Sequence, residues 1–166
     1  MNRQKNISRP APRRSKNITE QRQTFGALLR GPYQILAASV YGRMSELSDG
    51  VIRPAHGVVF RTISPDGSRV TEMADQAQMT KQSMGYLVEY LHSHGYLEYQ
   101  DDPTDGRAKL AHLTPRGVAV QEAAMEKSAI LEERVAKLME DGEMPELRRL
   151  LEKLNALIKE QAHSWD

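Results

Sequence analysis

The sequence predicts a mainly α-helical protein that carries one small β-hairpin. Apolar residues recur at helical spacing over most of residues 25–158. Two short strand-like runs, residues 96–100 and 110–113, flank a dense turn cluster at residues 101–106. The chain has 166 residues, which suits one domain and buries enough surface to fold without covalent staples.

Composition limits the classes of protein and site that we expect. The chain has no cysteine, which excludes disulfides and thiolate metal sites and fits the reducing cytoplasm, where we expect the protein. Residues 1–23 lack the apolar core of a signal peptide, and no apolar run reaches membrane-spanning length. The five histidines lack a metal-ligand spacing, and no catalytic motif is present. We therefore expect no metal, no cofactor and no enzymatic activity.

Charge is distributed unevenly along the chain. Residues 1–23 carry seven basic residues against one acid, Glu20, whereas the remainder carries 16 basic and 21 acidic residues. Because this segment is polar, contains proline and has no period, residues 1–23 are predicted to be a flexible basic arm. A basic arm on a mildly acidic body favours an anionic partner such as nucleic acid, and a solvated tail is the alternative.

Residues 24–50 are predicted to form an N-terminal dimerisation helix. Its apolar positions run from Phe25 to Leu47, and Asp49-Gly50 should end it. Proline cannot donate its amide, so Gly31-Pro32 predicts a kink or a fresh helix start.

Residues 51–117 contain the pattern of a winged helix-turn-helix. After a short helix at 54–63 and a turn at 64–68, a helix at 70–77 leads through Gln78-Met79 to Thr80. Thr80 is a favourable N-cap for a helix at 81–93, and Gly95 should end that helix. The predicted hairpin then forms the wing.

Residues 118–166 are predicted to supply C-terminal dimerisation helices. Thr114-Pro115 should start one helix that runs to about Met139 and is closed by Gly142, and another should start near Pro145. The last helix carries a continuous apolar stripe that one chain can cover only poorly, so we expect a two-fold homodimer. The stripe comprises Leu147, Leu150, Leu151, Leu154, Leu157 and Ile158.

The second helix of such a motif enters the major groove of double-stranded DNA, so its outward residues are the candidate contacts. Glutamine can bind adenine in bidentate fashion, tyrosine can reach a phosphate or a thymine methyl, and glycine allows close backbone approach. An arginine in the wing suits a narrow minor groove, and an aspartate there can bond an arginine and fix its direction. The candidates are Thr80, Lys81, Gln82, Ser83, Gly85 and Tyr86 in the helix, and Asp105, Arg107 and Lys109 in the wing.

These segments resemble the MarR family of bacterial regulators. The resemblance rests on residues 71–74, 81–84, 87–91 and 94–98, and above all on the wing run from Asp102 to Lys109 with Leu113-Thr114-Pro115-Arg116-Gly117. It implies an obligate, triangular dimer that binds palindromic DNA, with repression the commoner outcome. Asp105 and Arg107 fall where the family keeps its wing aspartate and minor-groove arginine. Tyr99 is a departure, since many relatives carry arginine there.

The resemblance also implies release from DNA by a small aromatic or phenolic ligand. The matching region would draw on Tyr33, Leu36, Tyr41, His56 and Phe60, although core or dimer contacts would equally explain these residues. A different class of function, a winged-helix module that binds protein and not DNA, is the alternative. The polar helix face at Lys81, Gln82 and Ser83 favours DNA over such a module.

Overall fold

The computed structural model describes residues 24–161, so the predicted arm at 1–23 lies outside the described residues, as do residues 162–166. The described residues fall into two units, 24–35 and 36–161, and the boundary lies within the first helix. The helices are α1 Phe25–Leu47, α2 Gly57–Thr62, α3 Val70–Gln76, α4 Lys81–Ser93, α5 Pro115–Ala136 and α6 Glu143–Gln161, and the strands are β1 Leu97–Asp102 and β2 Asp105–Leu113.

The described part of the first unit, residues 24–35, is helical and exposes its apolar side chains. Thr24 Oγ1 accepts a hydrogen bond from the Ala27 amide at 3.3 Å where α1 begins. The helix continues through Pro32, so the expectation of a fresh start there was wrong. Proline removes a single amide donor, and the hydrogen bonds on either side suffice to keep the segment helical.

The core of the second unit lies entirely between Met44 and Val120. It is built from the buried stripe of α4, from α2 and α3, and from the start of the hairpin. On α4, Met84, Val88 and Leu91 are fully buried, whereas Leu87, which shares their helical spacing, is half-buried. The other buried members are Ile52, Val59, Phe60, Ile63, Met73, Ala74, Tyr96, Leu97 and Ala111.

Local sequence signals set both ends of α4 and the start of α5 as predicted. Thr80 Oγ1 accepts from the Ser83 amide at 3.1 Å, and Thr114 Oγ1 accepts from the Gly117 amide at 3.2 Å. Gly95 follows α4 with a φ of 75°, in the left-handed region that glycine adopts without strain. The predicted helix at 54–63 is divided into a 3-10 turn, Pro54–His56, and α2.

The hairpin is longer and tighter than the sequence predicted. The two strands extend into the expected turn cluster and leave only Pro103 and Thr104 between them. Polar turn residues were read as a loop, but the antiparallel ladder continues through them because its backbone hydrogen bonds do not depend on apolar side chains. In addition, Ser68 forms a bridge to Ala111, which the sequence did not predict.

The two C-terminal helices differ from the prediction at their junction. Helix α5 ends at Ala136, short of Met139, and Gly142 with a φ of 88° precedes α6 instead of closing α5. Helix α6 has no buried residue, and its leucine stripe is exposed at Leu147, Leu150, Leu151 and Leu157. Within residues 24–161, no helix is both long and apolar enough to cross a membrane.

Candidate nucleic-acid interface

The exposed face of α4 gathers the predicted helix contacts. Because Met84, Val88 and Leu91 anchor the opposite face in the core, the side chains of Lys81, Gln82, Ser83 and Tyr86 lie outside it. The Tyr86 side chain is 69% exposed, which is a high value for a large aromatic side chain. The cap residue Thr80 is exposed as well and also bonds the Ser83 hydroxyl at 2.8 Å.

Gly85 leaves an open space on this face. A Cβ placed there would meet no atom within 4 Å, so the fold of this chain does not require glycine at the position. Glycine within a helix costs up to about 1 kcal/mol relative to alanine. No neighbour within the described chain accounts for the glycine, and close approach of DNA at this position stays a prediction.

The wing presents Arg107 on an irregular segment of β2. Asp101 pairs with Lys109 and Asp102 with Asp105, so the register skips the residues from Gly106 to Ala108. Arg107 lies in this bulge and is exposed. Bulges can reorient side chains at the ends of hairpins, and this one leaves the Arg107 side chain accessible.

Asp105 orders the Arg107 backbone and not its guanidinium, which refines the predicted pairing. Its Oδ1 accepts from the Arg107 amide at 3.2 Å. Lys109 is held differently, because its Nζ lies 2.5 Å from Asp101 Oδ1 in an exposed ion pair. Over residues 24–161, the Arg107 guanidinium makes no ion pair and is available to a ligand.

A network that the sequence analysis missed joins the start of α3 to the wing. Arg69 Nε donates to Asp102 Oδ2 at 2.6 Å, and Asp102 Oδ1 accepts from the Thr104 amide and hydroxyl at 2.8 and 2.6 Å. Asp102 is buried, and the Thr104 hydrogen bonds, followed by the Arg69 guanidinium, lower the pKa of Asp102 to about 2. One signal was present in the sequence: an aspartate that opens an Asp-Pro-Thr turn.

Tyr99, the departure from the family pattern, serves the packing of the hairpin. Its half-buried ring lies against His92 with centroids 4.8 Å apart. Burial and then the charge of Glu89 raise the pKa of the Tyr99 hydroxyl.

The four predicted ligand residues of the second unit do not line one groove together. His56 and Phe60 are buried. Of the predicted ligand residues, only Tyr41 lines a surface groove between α1, α2 and α4. Tyr33 and Leu36 are exposed, with Tyr33 in the first unit. His56 instead stacks on Tyr90 at 4.5 Å, and its Nδ1 accepts from the Arg53 amide at 3.0 Å.

An open groove of about 620 Å³ runs between α1, α2 and α4 in the second unit. Its polar groups are Ser83 and the pair of Arg61 and Tyr41, in which Arg61 Nη1 donates to the Tyr41 hydroxyl at 2.5 Å. Sequence reasoning missed Arg61 because nothing local distinguishes it from a solvated helix residue. The rest of the lining is Pro54, Ala55, Val58, Ala77, Met79, Tyr86 and Leu87.

No metal centre accompanies these features in the described part of the chain. Among residues 24–161, no three histidine or carboxylate side chains gather closely enough to hold a metal ion.

Helices α3 and α4, followed directly by the β1–β2 hairpin, make this chain a winged helix-turn-helix protein. The helix pair, its polar outward face, β1 and the start of β2 fall within the region where the family comparison matches. Residues 50–108 match the model of the MarR family, and solved structures of MarR family transcription regulators share the fold of this chain. Among curated proteins, no sequence matches this chain.

Solved structures of the family share the fold at low sequence identity. The MarR family protein Rv2887 of Mycobacterium tuberculosis, in complex with salicylic acid, is 27% identical, with 81% of this chain and 98% of that chain covered and a TM-score of 0.60. Apo MarR of E. coli is 22% identical, with coverages of 80% and 96% and a TM-score of 0.65. A point mutant of MepR from S. aureus, bound to an oligodeoxyribonucleotide, is 18% identical, with coverages of 82% and 99% and a TM-score of 0.52.

Proposed function

We propose that this protein is a cytoplasmic, sequence-specific DNA-binding transcriptional regulator that acts as a repressor. The observation that carries the proposal is the pairing of two exposed elements. Helix α4 offers hydrogen-bonding side chains for base edges, and the bulged wing offers an arginine without an ion pair. These are the chemistries that major-groove and minor-groove readout require.

The regulator is proposed to bind a palindromic operator as a homodimer. All buried core residues lie between Met44 and Val120, and no residue of the apolar stripe of α6 is fully buried within the second unit. Exposed leucines in a continuous stripe favour association with an identical helix, since a two-fold axis pairs the same patch on both copies. A dimer would present two α4 helices to successive turns of one DNA face.

The groove is the proposed site for a small aromatic or phenolic acid that releases DNA. The Arg61 guanidinium can bind a carboxylate in a forked geometry, and the apolar lining can hold an aromatic ring. Ser83 and Tyr86 belong both to this groove and to the predicted DNA face. A ligand that moves these side chains would therefore compete with base contacts.

Selection of bound duplexes from a random DNA pool tests the central proposal. We expect enrichment of a palindrome whose half-sites lie about one helical turn apart. Binding should weaken with salt, with a logarithmic slope of about −0.9 per neutralised phosphate. Absence of enrichment at low ionic strength would overturn the proposal and leave a protein-binding winged-helix module as the better description.

Salicylate is the probe for the proposed ligand site. We expect millimolar salicylate to raise the melting temperature and to weaken binding to the selected operator. Arg61→Met should abolish both responses, whereas Arg43→Met, an exposed arginine on α1 outside the groove lining, should leave them intact. If salicylate changes neither quantity in the unmodified protein, this class of ligand is excluded.

A further inference from the structure

The wing carries more acidic than basic side chains, which disfavours the approach of phosphate. Between residues 101 and 109 there are three aspartates and two basic residues. Lys109 forms an ion pair with Asp101 at 2.5 Å. This leaves Asp102 and Asp105 beside Arg107, the one basic side chain of residues 101–109 that makes no ion pair. Two carboxylates this close would attract the guanidinium inward and repel phosphate.

Arg69 contacts both carboxylates from outside the hairpin and offsets one of their two negative charges. Its Nη2 lies 2.5 Å from Asp102 Oδ2 and 3.8 Å from Asp105 Oδ2, and it also donates to Thr104 Oγ1 at 3.4 Å. A lysine could not make these contacts together, because a guanidinium offers several donors in one rigid plane. One side chain thus reaches both ends of the Pro103-Thr104 turn.

The backbone of Arg69 is itself held in place. Arg69 is the N-cap residue of α3, its amide donates to Glu72 Oε2 at 3.2 Å, and its carbonyl accepts from the Met73 amide at 3.1 Å. Met73 is fully buried, so the backbone of Arg69 is anchored to the core. The arginine therefore transmits the position of the helix-turn-helix to the wing.

We propose that Arg69 is a positioning residue that fixes the wing and, through Asp102 and Asp105, directs Arg107 toward DNA. This inference rests on the proposed DNA-binding function but is separate from it. With Asp105 drawn toward Arg69, its Oδ1 is left to hold the Arg107 amide, and the guanidinium stays unpaired. The positive charge of Arg69 is offset by Asp102 and Asp105, so these three residues present no net positive charge to DNA.

A double-mutant cycle on operator binding tests this role. Arg69→Met should weaken binding about tenfold, as expected when one member of a coupled hydrogen-bond network is removed. Arg107→Ala should then weaken operator binding by a much smaller factor in the Arg69→Met background than in the unmodified protein, because Arg107 is already misdirected in that background. Equal fold-losses in both backgrounds would overturn the positioning role and indicate that Arg69 contacts phosphate directly.

A second readout does not depend on DNA. The Thr104 and Arg107 amides are bonded to Asp102 and Asp105, so their hydrogen exchange, measured by NMR, should accelerate in Arg69→Met but not in the control Arg43→Met. Unchanged exchange would overturn the inference. Accelerated exchange in a protein that binds no duplex would support Arg69 while rejecting the DNA-binding proposal.

Removal of Arg69 alone leaves a buried carboxylate without its cation, which could unfold the domain. The double variant Arg69→Met with Asp102→Asn removes that charge as well. It should fold, exchange the two wing amides rapidly and bind the operator as weakly as Arg69→Met. Restored affinity in this variant would contradict the proposed role.

Discussion

The side-chain amide of Gln82 donates to the Tyr86 hydroxyl at 3.2 Å, one turn apart on the exposed face of α4. This bond holds two candidate base-reading side chains in a defined relation before any DNA is present. Groups that are already ordered lose less conformational entropy on binding. The pair therefore provides the first quantitative test of the proposed interface.

Gln82→Ala should weaken operator binding by about 1–3 kcal/mol and relax specificity at one base pair, because a bidentate contact to adenine is lost. The measurement is a titration of the selected operator and its single-base variants. Tyr86→Phe is the matched control, because it removes the hydrogen bond between the two side chains but keeps Gln82. It should weaken operator binding less than Gln82→Ala does. A Gln82→Ala protein with unchanged affinity and specificity would remove α4 from base readout.

Arg107→Ala should weaken operator binding more than Lys109→Ala does. The lysine is already paired with Asp101, so it has less charge to offer to phosphate. The loss from Arg107→Ala should be about 1–3 kcal/mol, and the salt slope should fall by about one unit. Equal effects of the two substitutions would contradict the distinction that the wing geometry makes.

Gly85→Ala should move stability and DNA affinity in opposite directions. The free energy of unfolding should rise by up to about 1 kcal/mol, because alanine is the better helix former and meets no neighbour at this position. Operator affinity should fall if DNA occupies the open space. Denaturant titration and operator binding check the two parts. An affinity that stays constant while stability rises would show that no ligand approaches Gly85.

Replacing Leu150 and Leu151 together by aspartate should dissociate the proposed dimer. Both side chains are exposed on the stripe of α6, and charges there would repel across a two-fold axis. Sedimentation equilibrium should report a monomer, whereas Lys153→Asp, an exposed α6 residue outside the stripe, should leave the dimer intact. A monomeric parent protein would count against the dimer itself.

The free energy of unfolding should fall as the pH decreases below about 6.5, and His56 should contribute to that fall. Burial, followed by the charges of Arg53 and His94, lowers the pKa of His56 in the folded state. Just below its ordinary pKa of about 6.5, His56 therefore binds more protons in the unfolded chain than in the folded one. This stabilisation is complete above that pH and is lost toward the lower folded pKa.

Denaturant titrations between about pH 7 and pH 5 measure this contribution. His56→Gln should show a shallower dependence of stability on pH than the unmodified protein, whatever its absolute stability. Identical slopes in the two proteins would show that His56 does not titrate differently on folding. The contribution of Asp102 appears only at lower pH, because its pKa of about 2 places its loss below about pH 4.

Local patterns in the sequence were sufficient to predict α4 to the residue. The helical spacing of Met84, Val88 and Leu91 defined its buried face, and Thr80 and Gly95 marked its ends. The same kind of signal placed Thr114 at the start of α5. These features depend on neighbours within a few residues, so one chain segment contains the information that determines them.

The sequence by itself determined the helix-turn-helix, the polar face of α4 and the presence of an arginine in the wing. Only the tertiary structure decided that the arginine lies in a bulge, that Arg69 reaches Asp102 across 33 positions of the chain, and that Arg61 and Tyr41 meet in one groove. Such contacts join residues remote in sequence. Their partners are set by the packing of several elements, a relation that periodicity and capping patterns do not encode.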